Sequence, residues 1–305
     1  MRNTLSLYLV FQVLILTSCS PAKNAQISEV KQHSIRSYYD SKKDSKQQVY
    51  LSNTAVKTEK YCYPICPNID KKLNIEVDHD DFLLSYNKKT KYADWVAYRI
   101  NKNYLSGMTK KRQWKPDPKI PLEIAMIPSD YKNASSVCNY DRGHQAPLAD
   151  FSNSKNWQRV NYLSNITPQK AQLNQGAWNK LESKIRSLGK ELEGELYVIT
   201  GTYYNAEPMC KLPNARISNI VPNGYWKIIT LVSNNNIYRA NFKFSQHTDK
   251  NADRCNHRTT INVIKRVTNI NFYINDNIDN SVSLLDMLGC RATQNKEYFY
   301  SSYSY

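Results

Sequence analysis

The segment CNYDRGHQAPLADFSNS, residues 138–154, holds the side chains of this chain that are best suited to chemistry. Asp141, Arg142 and His144 flank Gly143 in four consecutive positions. A neutral imidazole accepts a proton near neutral pH, and a guanidinium stays charged and pairs with phosphate oxygens. The segment therefore predicts acid–base chemistry at His144 on an anionic substrate held by Arg142, with Gly143 letting backbone and substrate approach closely.

The segment LNQGAWNKLESKIRSLGKEL, residues 173–192, carries two further candidates on a predicted helix. Its apolar residues recur at intervals of three and four and predict a stripe that faces a core: Trp178, Leu181, Ile185, Leu188 and Leu192. Asn174, Trp178 and Glu182 are spaced i, i+4, i+8, so the amide and the carboxylate project from neighbouring turns of one ridge. Periodicity alone favours a capping Asn174 and a solvent-facing Glu182.

The other histidines and the tryptophans are weaker candidates. Four histidines lack comparable neighbours and are expected to be solvated or structural: His33, His79, His247 and His257. Trp114 and Trp178 could stack on nucleic-acid bases, although core packing is the commoner role of a tryptophan.

Composition bounds the class of protein. The chain has 305 residues, of which 41% are hydrophobic, enough to build a sizeable core and to exclude global disorder. Its net charge is +16, and the lysines and arginines are spread along the chain. Such an excess favours polyanionic partners such as nucleic acid or an anionic membrane surface, although solubility alone explains it equally well.

The N-terminus is typical of an export signal. Arg2 precedes the apolar run LSLYLVFQVLIL, which has the length of a signal peptide and is too short for a comfortable membrane span. The following LTSC resembles the lipobox of bacterial lipoproteins, in which the cysteine, here Cys19, is acylated; an ordinary cleaved signal is the alternative. We expect a signal peptide over residues 1–18 and a polar, lipid-anchored tether over 19–60. The protein is then exported to the cell envelope as an outer-membrane lipoprotein that faces the periplasm or the exterior.

Cysteine usage agrees with export. The chain has seven cysteines, and setting Cys19 aside leaves an even number for disulfides: Cys62, Cys66, Cys138, Cys210, Cys255 and Cys290. Cys62 and Cys66 are close enough for a local bond, but the full pairing does not follow from the sequence. A zinc site is disfavoured because no CxxC pair is present and no histidine lies nearby at ligand spacing.

Apolar segments recur beyond the tether, without an internal repeat or a strong linker between residues 61 and 290. Segments rich in β-branched and aromatic residues predict strands: ELYVITG (195–201), YWKIITLV (225–232) and IYRANFKF (237–244). Together with the helix at 173–192, they favour one α+β domain over residues 61–305.

Several motifs together resemble one family. DRGHQAPLAD, followed by YLSNITPQKAQLNQGAWNKLE, resembles the DNA/RNA non-specific endonucleases of the ββα-metal (His-Me finger) superfamily. YADWVAYRI and KKRQWKPDP upstream are also similar, and the resemblance covers roughly residues 61–290. It implies an α+β fold with a mixed, mainly antiparallel sheet, flanking helices and a ββα-metal element. In that element DRGH lies on a hairpin strand, and Asn174 begins the crossing helix.

The resemblance also implies a division of labour at the site. His144 is the general base that deprotonates the attacking water, and Asn174 is the ligand of Mg²⁺, for which Mn²⁺ can substitute. Glu182 holds metal-bound waters through hydrogen bonds. The implied activity is endonucleolytic cleavage of single- and double-stranded DNA and of RNA, which leaves 5′-phosphates and shows little sequence preference.

Four more residues complete the predicted site. Arg142 and Arg112 match the family's two functional arginines, which bind phosphate and stabilise the pentacovalent charge. Asn165, in SNITPQ, has a supporting role near the active site. Asp141 is expected to anchor the turn structurally rather than to act as a base.

The resemblance bears on the disulfides as well, because the family's two bonds imply Cys62–Cys66 and Cys255–Cys290. These pairs leave Cys138 to bond with Cys210. Two other classes of function stay open: a catalytically inactive, basic nucleic-acid-binding lipoprotein, and a structural lipoprotein of the cell envelope. The oligomeric state is also open, with a homodimer as one option.

Overall fold

The computed structural model describes residues 60–108, 110–205, 207–274 and 282–290, all of which belong to one unit, Ala55–Tyr305. The predicted signal peptide, Cys19 and nearly all of the tether lie outside the described residues. Within the described ranges, every helix is too short or too polar to traverse a bilayer.

The strands of the described residues are β1 (Ile65–Pro67), β2 (Asn74–Asp78), β3 (Phe82–Asn87), β4 (Ala93–Arg99), β5 (Tyr140–His144), β6 (Ile166–Lys170), β7 (Glu195–Tyr203), β8 (Gly224–Ser233), β9 (Asn236–Ser245), β10 (Phe272–Ile274) and β11 (Val282–Ser283). A seven-stranded sheet forms the centre of this unit, and it runs in the order β11-β9-β8-β7-β4-β3-β2. Its neighbouring strands are antiparallel except for β11, which pairs with β9 in parallel. β1 and β10 form one two-stranded sheet, and β5 and β6 form another.

The strands predicted at 195–201, 225–232 and 237–244 are confirmed and form most of β7, β8 and β9. The predicted mixed, mainly antiparallel α+β fold is also confirmed.

Helices and turns connect these strands. The helices are α1 (Ala134–Cys138), α2 (Ala171–Leu173), α3 (Asn179–Glu191) and α4 (Ile261–Thr268). Short 3-10 helices lie at Lys102–Tyr104, Pro128–Tyr131, Leu148–Phe151, Trp157–Asn161, Leu163–Asn165 and Arg254–His257. α4 begins where the side chain of Thr260 accepts a hydrogen bond from the Val263 amide, and it ends at Asn269, whose φ is 56°.

Hydrophobic residues cover both faces of the central sheet. Successive side chains of a strand point to opposite faces, so Val96 packs in one layer and Trp95 in the other. The layer that contains Val96 includes the apolar stripe of α3, and we call it the α3 layer. The layer that contains Trp95 includes Ile261 and Ile264 of α4, and we call it the α4 layer. This double coverage explains why β4, β7 and β8 are apolar along most of their length.

The helix predicted over 173–192 is interrupted. Residues Asn174–Trp178 form a π-type turn in which Gly176 has φ −101° and ψ −120°, outside the helical region. A Cβ at Gly176 would lie 2.4 Å from the carbonyl oxygen of Lys250, so the neighbouring loop fits only against glycine. The predicted regular ridge through Asn174, Trp178 and Glu182 is therefore wrong. The core-facing stripe is confirmed, with four members buried and the fifth partly buried: Trp178, Leu181, Ile185, Leu188 and Leu192.

The three predicted disulfide bonds are present: Cys62–Cys66, Cys138–Cys210 and Cys255–Cys290. The second joins the end of α1, just before β5, to the long connection between β7 and β8. It therefore fastens the chain next to the DRGH strand.

Candidate active site

An open cleft with a volume of about 560 Å³ lies between α1, β5 and the helical segment 174–186. Six of the seven predicted site residues line it: Arg112, Asp141, Arg142, His144, Asn174 and Glu182. Asn165 is fully buried and holds the backbone nearby instead. Its side-chain nitrogen donates to the carbonyl oxygens of Ala146 and Val160, and its oxygen accepts from the Ala146 amide at 2.9 Å.

β5 and β6 form the hairpin that presents His144, which pairs with Ile166 at the end of β5. Gly143 makes this pairing possible, because a Cβ there would lie 2.3 Å from the side-chain oxygen of Gln169. The expected close approach of Gly143 is therefore to Gln169 on the opposite strand rather than to substrate.

His144 is held by two side chains that line or adjoin the cleft. Its Nε2 lies 3.1 Å from Oδ1 of Asn161, and its ring lies 5.3 Å from the ring of Trp114. An amide oxygen only accepts hydrogen bonds, so Nε2 carries the proton and Nδ1 keeps the lone pair. Burial, assisted by the charge of Arg112, lowers the pKa of His144 from 6.5 to about 4, although the hydrogen bond to Asn161 opposes that fall. The imidazole is consequently a neutral base at physiological pH.

Arg142 is the cation nearest to His144 in the sequence, and its position is fixed by aromatic rings. Its guanidinium carbon lies 5.6 Å from the ring centre of Trp114 and 5.3 Å from that of Tyr131. Nη2 donates to the carbonyl oxygen of Pro128 at 3.3 Å. Nε is buried and has no hydrogen-bond partner, which leaves a directed N–H for an oxygen of a bound ligand.

Asn174 is oriented by Asp141 across the gap between β5 and the helical segment. Its Nδ2 donates to Oδ2 of Asp141 at 2.8 Å, and Gln175 donates to the same oxygen at 2.9 Å. Asp141 therefore anchors two side chains of another element, not the turn that the sequence predicted. This contact turns the amide oxygen of Asn174 away from Asp141, which suits a ligand of a hard cation.

Glu182 lies at the back of the cleft and is buried, contrary to the solvent-facing position that periodicity favours. Its Oε1 lies 3.8 Å from Nζ of Lys227, a residue of β8. Burial raises the pKa of Glu182, and Lys227 opposes that rise. One turn later in α3, Arg186 donates to Oδ1 of Asp150 at 3.1 Å.

The donor set of the cleft fits a cation that keeps most of its water. Among the described residues, no three His, Cys, Asp or Glu side chains converge as metal ligands. The amide oxygen of Asn174 is a hard ligand, and the buried Oε1 of Glu182 has no hydrogen-bond partner. Mg²⁺ prefers oxygen ligands and is commonly bound by one or two protein groups plus phosphate and water. The residues present therefore fit Mg²⁺ and do not fit a zinc site.

Asn161, Arg186 and Lys227 are among the residues that the structure brings to the site and that the sequence did not indicate. Arg186 follows Glu182 by four positions, so helical spacing could have found it. Lys227 is the one charged residue of the apolar segment YWKIITLV. A single charge in such a segment could have indicated a buried side chain with a specific role. Nothing in the local pattern distinguishes Asn161, because its partner His144 lies 17 residues away.

The remaining histidines of the described region are structural or peripheral, as predicted. His79 is buried against Asp117, His257 stacks on Phe244, and His247 is exposed. His33 lies outside the described residues. Trp178 is buried in the α3 layer and Trp114 lines the cleft, so only Trp114 is placed to meet a ligand.

Known proteins resemble this chain in sequence and in fold. A family model described as DNA/RNA non-specific endonuclease matches residues 68–278. A nuclease of Serratia marcescens is 37% identical over 227 residues, which cover 72% of this chain and 85% of that protein. Human mitochondrial endonuclease G is 31% identical over 128 residues, which cover 41% of each chain. A crystal structure of the EndoG/EndoGI complex superposes with a TM-score of 0.59 at 21% identity, over 68% of this chain and 89% of that one.

Proposed function

The chain belongs to the DNA/RNA non-specific endonuclease family, and on that premise we propose that its cleft hydrolyses phosphodiester bonds within DNA and RNA. The products carry 5′-phosphates, and a divalent cation, Mg²⁺ or Mn²⁺ in its place, assists the reaction. One observation carries the proposal most directly: a neutral, partly buried His144 shares a cleft with Arg142 and with an amide oxygen of Asn174 that points away from its anchor.

His144 acts as the general base in this proposal. The hydrogen bond to Asn161 places the proton on Nε2, so Nδ1 takes the proton of the attacking water. The ring of Trp114 packs beside the imidazole and restricts its rotation. A base fixed in this way loses little entropy when water and phosphate come into line.

The arginines stabilise the charge that develops on the phosphate. Arg142 offers the unpaired Nε–H from its place between Trp114 and Tyr131. Arg112 is exposed, lines the cleft and can also contact the phosphate. Guanidinium groups match phosphate oxygens in geometry and charge, and a positioned donor is worth more in the transition state than in the free substrate.

Asn174 would hold the cation through its amide oxygen, and Glu182 would accept hydrogen bonds from water in the cleft. When bound there, a divalent cation supplies positive charge to the phosphate and to the leaving 3′-oxygen. Asp141 orients Asn174, and Gln175 shares that anchor. A cation held in this way does not require a cluster of carboxylate ligands from the protein.

Digestion of plasmid DNA and of a single RNA by the purified protein tests the proposal. We expect cleavage of both, loss of cleavage with a chelator, and recovery on addition of Mg²⁺. Binding of DNA without any cleavage would contradict the proposal and would favour the catalytically inactive nucleic-acid-binding protein. Cleavage that persists in chelator would remove the cation from the mechanism.

We also propose that the protein is exported and held at the outer membrane through Cys19. Support comes from the apolar run and the LTSC motif before Cys19, and from the three disulfides, which are typical of exported proteins. Cys19→Ser should move the protein from the membrane fraction to a soluble fraction. Unchanged fractionation, or a wild-type protein that incorporates no labelled fatty acid, would reject the anchor.

A further inference from the structure

Lys227 is an unusual residue of the central sheet because it is charged and wholly buried, with 0% of its surface exposed. It lies in the middle of β8 and points into the α3 layer. Nζ donates to the hydroxyl of Thr200 on the neighbouring β7, at 2.5 Å, and lies 4.4 Å from the ring centre of Trp178. Removing an ammonium group from water is costly unless an opposite charge is close.

Glu182 supplies that opposite charge from the facing helix. The 3.8 Å between Nζ of Lys227 and Oε1 of Glu182 is too long for a direct hydrogen bond, so the contact is mainly electrostatic. Attraction between charges is strong where both are shielded from water. The two side chains therefore form a buried ion pair between the sheet and α3.

A second ion pair follows one turn later in α3, with the charges reversed, so that the helix supplies the cation. Arg186, one turn after Glu182 in α3, donates to Asp150, which also accepts from the hydroxyl of Tyr98 at 3.0 Å. Glu182 and Arg186 line the cleft, whereas Lys227 and Asp150 lie behind them. Glu182 and Arg186 are thus each backed by a buried residue of the opposite charge.

We propose that Lys227 is a positioning residue of the nuclease reaction, which holds the carboxylate of Glu182 charged and directed into the cleft from beneath. This inference rests on the proposed function, since it assigns a task to Glu182 in phosphodiester hydrolysis. Lys227 does not line the cleft, so it acts on substrate only through Glu182.

Lys227→Met tests the proposal, because methionine fills a similar volume without the charge. We expect kcat on DNA to fall about 10–100-fold, the usual range for loss of a residue that orients a ligand-facing group, while KM is unchanged. Lys243→Met is the matched control. Lys243 lies over the ring of Tyr203 and pairs with Trp226, so it faces the α4 layer, and its loss should leave kcat unchanged.

A double-mutant cycle with Glu182→Gln separates positioning from a merely structural role. If Lys227 acts through Glu182, the double variant Glu182→Gln, Lys227→Met should be no slower than Glu182→Gln alone. The same coupling should appear without metal: in chelator, Lys227→Met should lower Tm more in the wild-type background than in the Glu182→Gln background, because only the former leaves a carboxylate unpaired.

Several outcomes would overturn the inference. Wild-type kcat in Lys227→Met, or losses from the two substitutions that simply multiply, would show that Lys227 does not work through Glu182. Failure of both Lys227→Met and the double variant to fold would assign the lysine to the core alone. If the wild-type protein cleaves no nucleic acid, the proposed function fails instead, and the Tm coupling in chelator still decides whether the pair exists.

Discussion

His144 and Asn174 enter one cleft from different elements, and the contacts of each side chain suit it to a different task. His144 is bonded to a neutral amide, which leaves it uncharged and able to take a proton. Asn174 is bonded to the carboxylate of Asp141, which turns its oxygen outward. Substituting each in turn should therefore give losses of different kinds.

His144→Ala should lower the rate by about 10²–10⁴-fold or more, because both a general base and its positioning are lost, while the variant still binds DNA. Added imidazole should restore part of the activity by occupying the vacated space. Asn174→Ala should not respond to imidazole but should recover at raised Mg²⁺, because a weakened cation site is filled by mass action. A fully active His144→Ala protein, or rescue of both variants by imidazole, would contradict these assignments.

Glu182, rather than His144, should set the acid limb of the pH–rate profile. Burial raises the pKa of Glu182, whereas burial lowers the pKa of His144 from 6.5 to about 4. As pH falls, Glu182 is protonated first, so kcat/KM declines while His144 is still neutral. In Glu182→Gln the residual activity should be lower at neutral pH, but its acid limb should shift toward the pKa of His144. An acid limb that is the same in both proteins would belong to another group.

Residues that we propose to act by direct chemistry were easier to find from the sequence than residues that hold them. His144, Arg142 and Asn174 belong to motifs with characteristic spacing, and all three line the cleft. Asn161 was missed because a hydrogen bond between separate loops leaves no periodic pattern in the sequence. Lys227 was missed because a single lysine in a strand is compatible with an exposed edge until the α3 layer is seen to cover it.

At the scale of elements, a buried carboxylate fastens the segment that carries Arg112 and Trp114. Asp117 accepts hydrogen bonds from Nε2 of His79 at 2.8 Å and from the hydroxyl of Ser164. Two residues earlier, the carbonyl oxygen of Lys115 accepts from the Leu163 amide at 2.9 Å. The segment is thus tied to the same connection that carries Asn161 toward His144.

Asp117→Asn should loosen that segment, because an amide has one acceptor oxygen in place of two and brings donors into a buried site. We expect a loss of about 1–3 kcal/mol in the free energy of unfolding, measured with urea, and a lower kcat/KM on DNA as Arg112 becomes mobile. Asp70→Asn, at an exposed carboxylate that accepts from its own turn, is the control and should change neither. Wild-type stability in Asp117→Asn would show that the buried carboxylate does not hold the segment.

The sequence predicted whether a segment forms a helix or a strand wherever burial imposes a periodic pattern. It did not predict where a helix is interrupted. β7, β8 and β9 followed from runs of β-branched and aromatic residues. The break at Gly176 did not, because its cause is the backbone of Lys250, which is remote in the sequence. The apolar stripe from Trp178 to Leu192 follows the break, and Leu173 before it is also buried, so the apolar pattern alone indicates one helix.

At the scale of the whole molecule, the exposed charges that attract a substrate are distinct from the charges that lie buried behind the cleft. The net charge of +16 belongs to the full chain and attracts polyanions over a distance of about a Debye length. The buried charges behind the cleft alternate in sign, so they add little to that long-range field. Substrate capture should therefore depend on exposed cations such as Arg112 and not on the buried pairs.

The salt dependence of DNA binding tests this separation. If Arg112 contacts phosphate, log K for DNA should fall linearly with log salt, and Arg112→Gln should reduce the slope by about 0.7–0.9, the contribution of one released counterion. Arg99→Gln is a matched control, because Arg99 is also exposed but is paired with Glu195. The slope should be similar for unrelated DNA sequences, since phosphate contacts carry no sequence information. An equal change in slope for both arginine variants would mean that only total charge matters, whereas a slope unaffected by Arg112→Gln would remove Arg112 from the phosphate contacts.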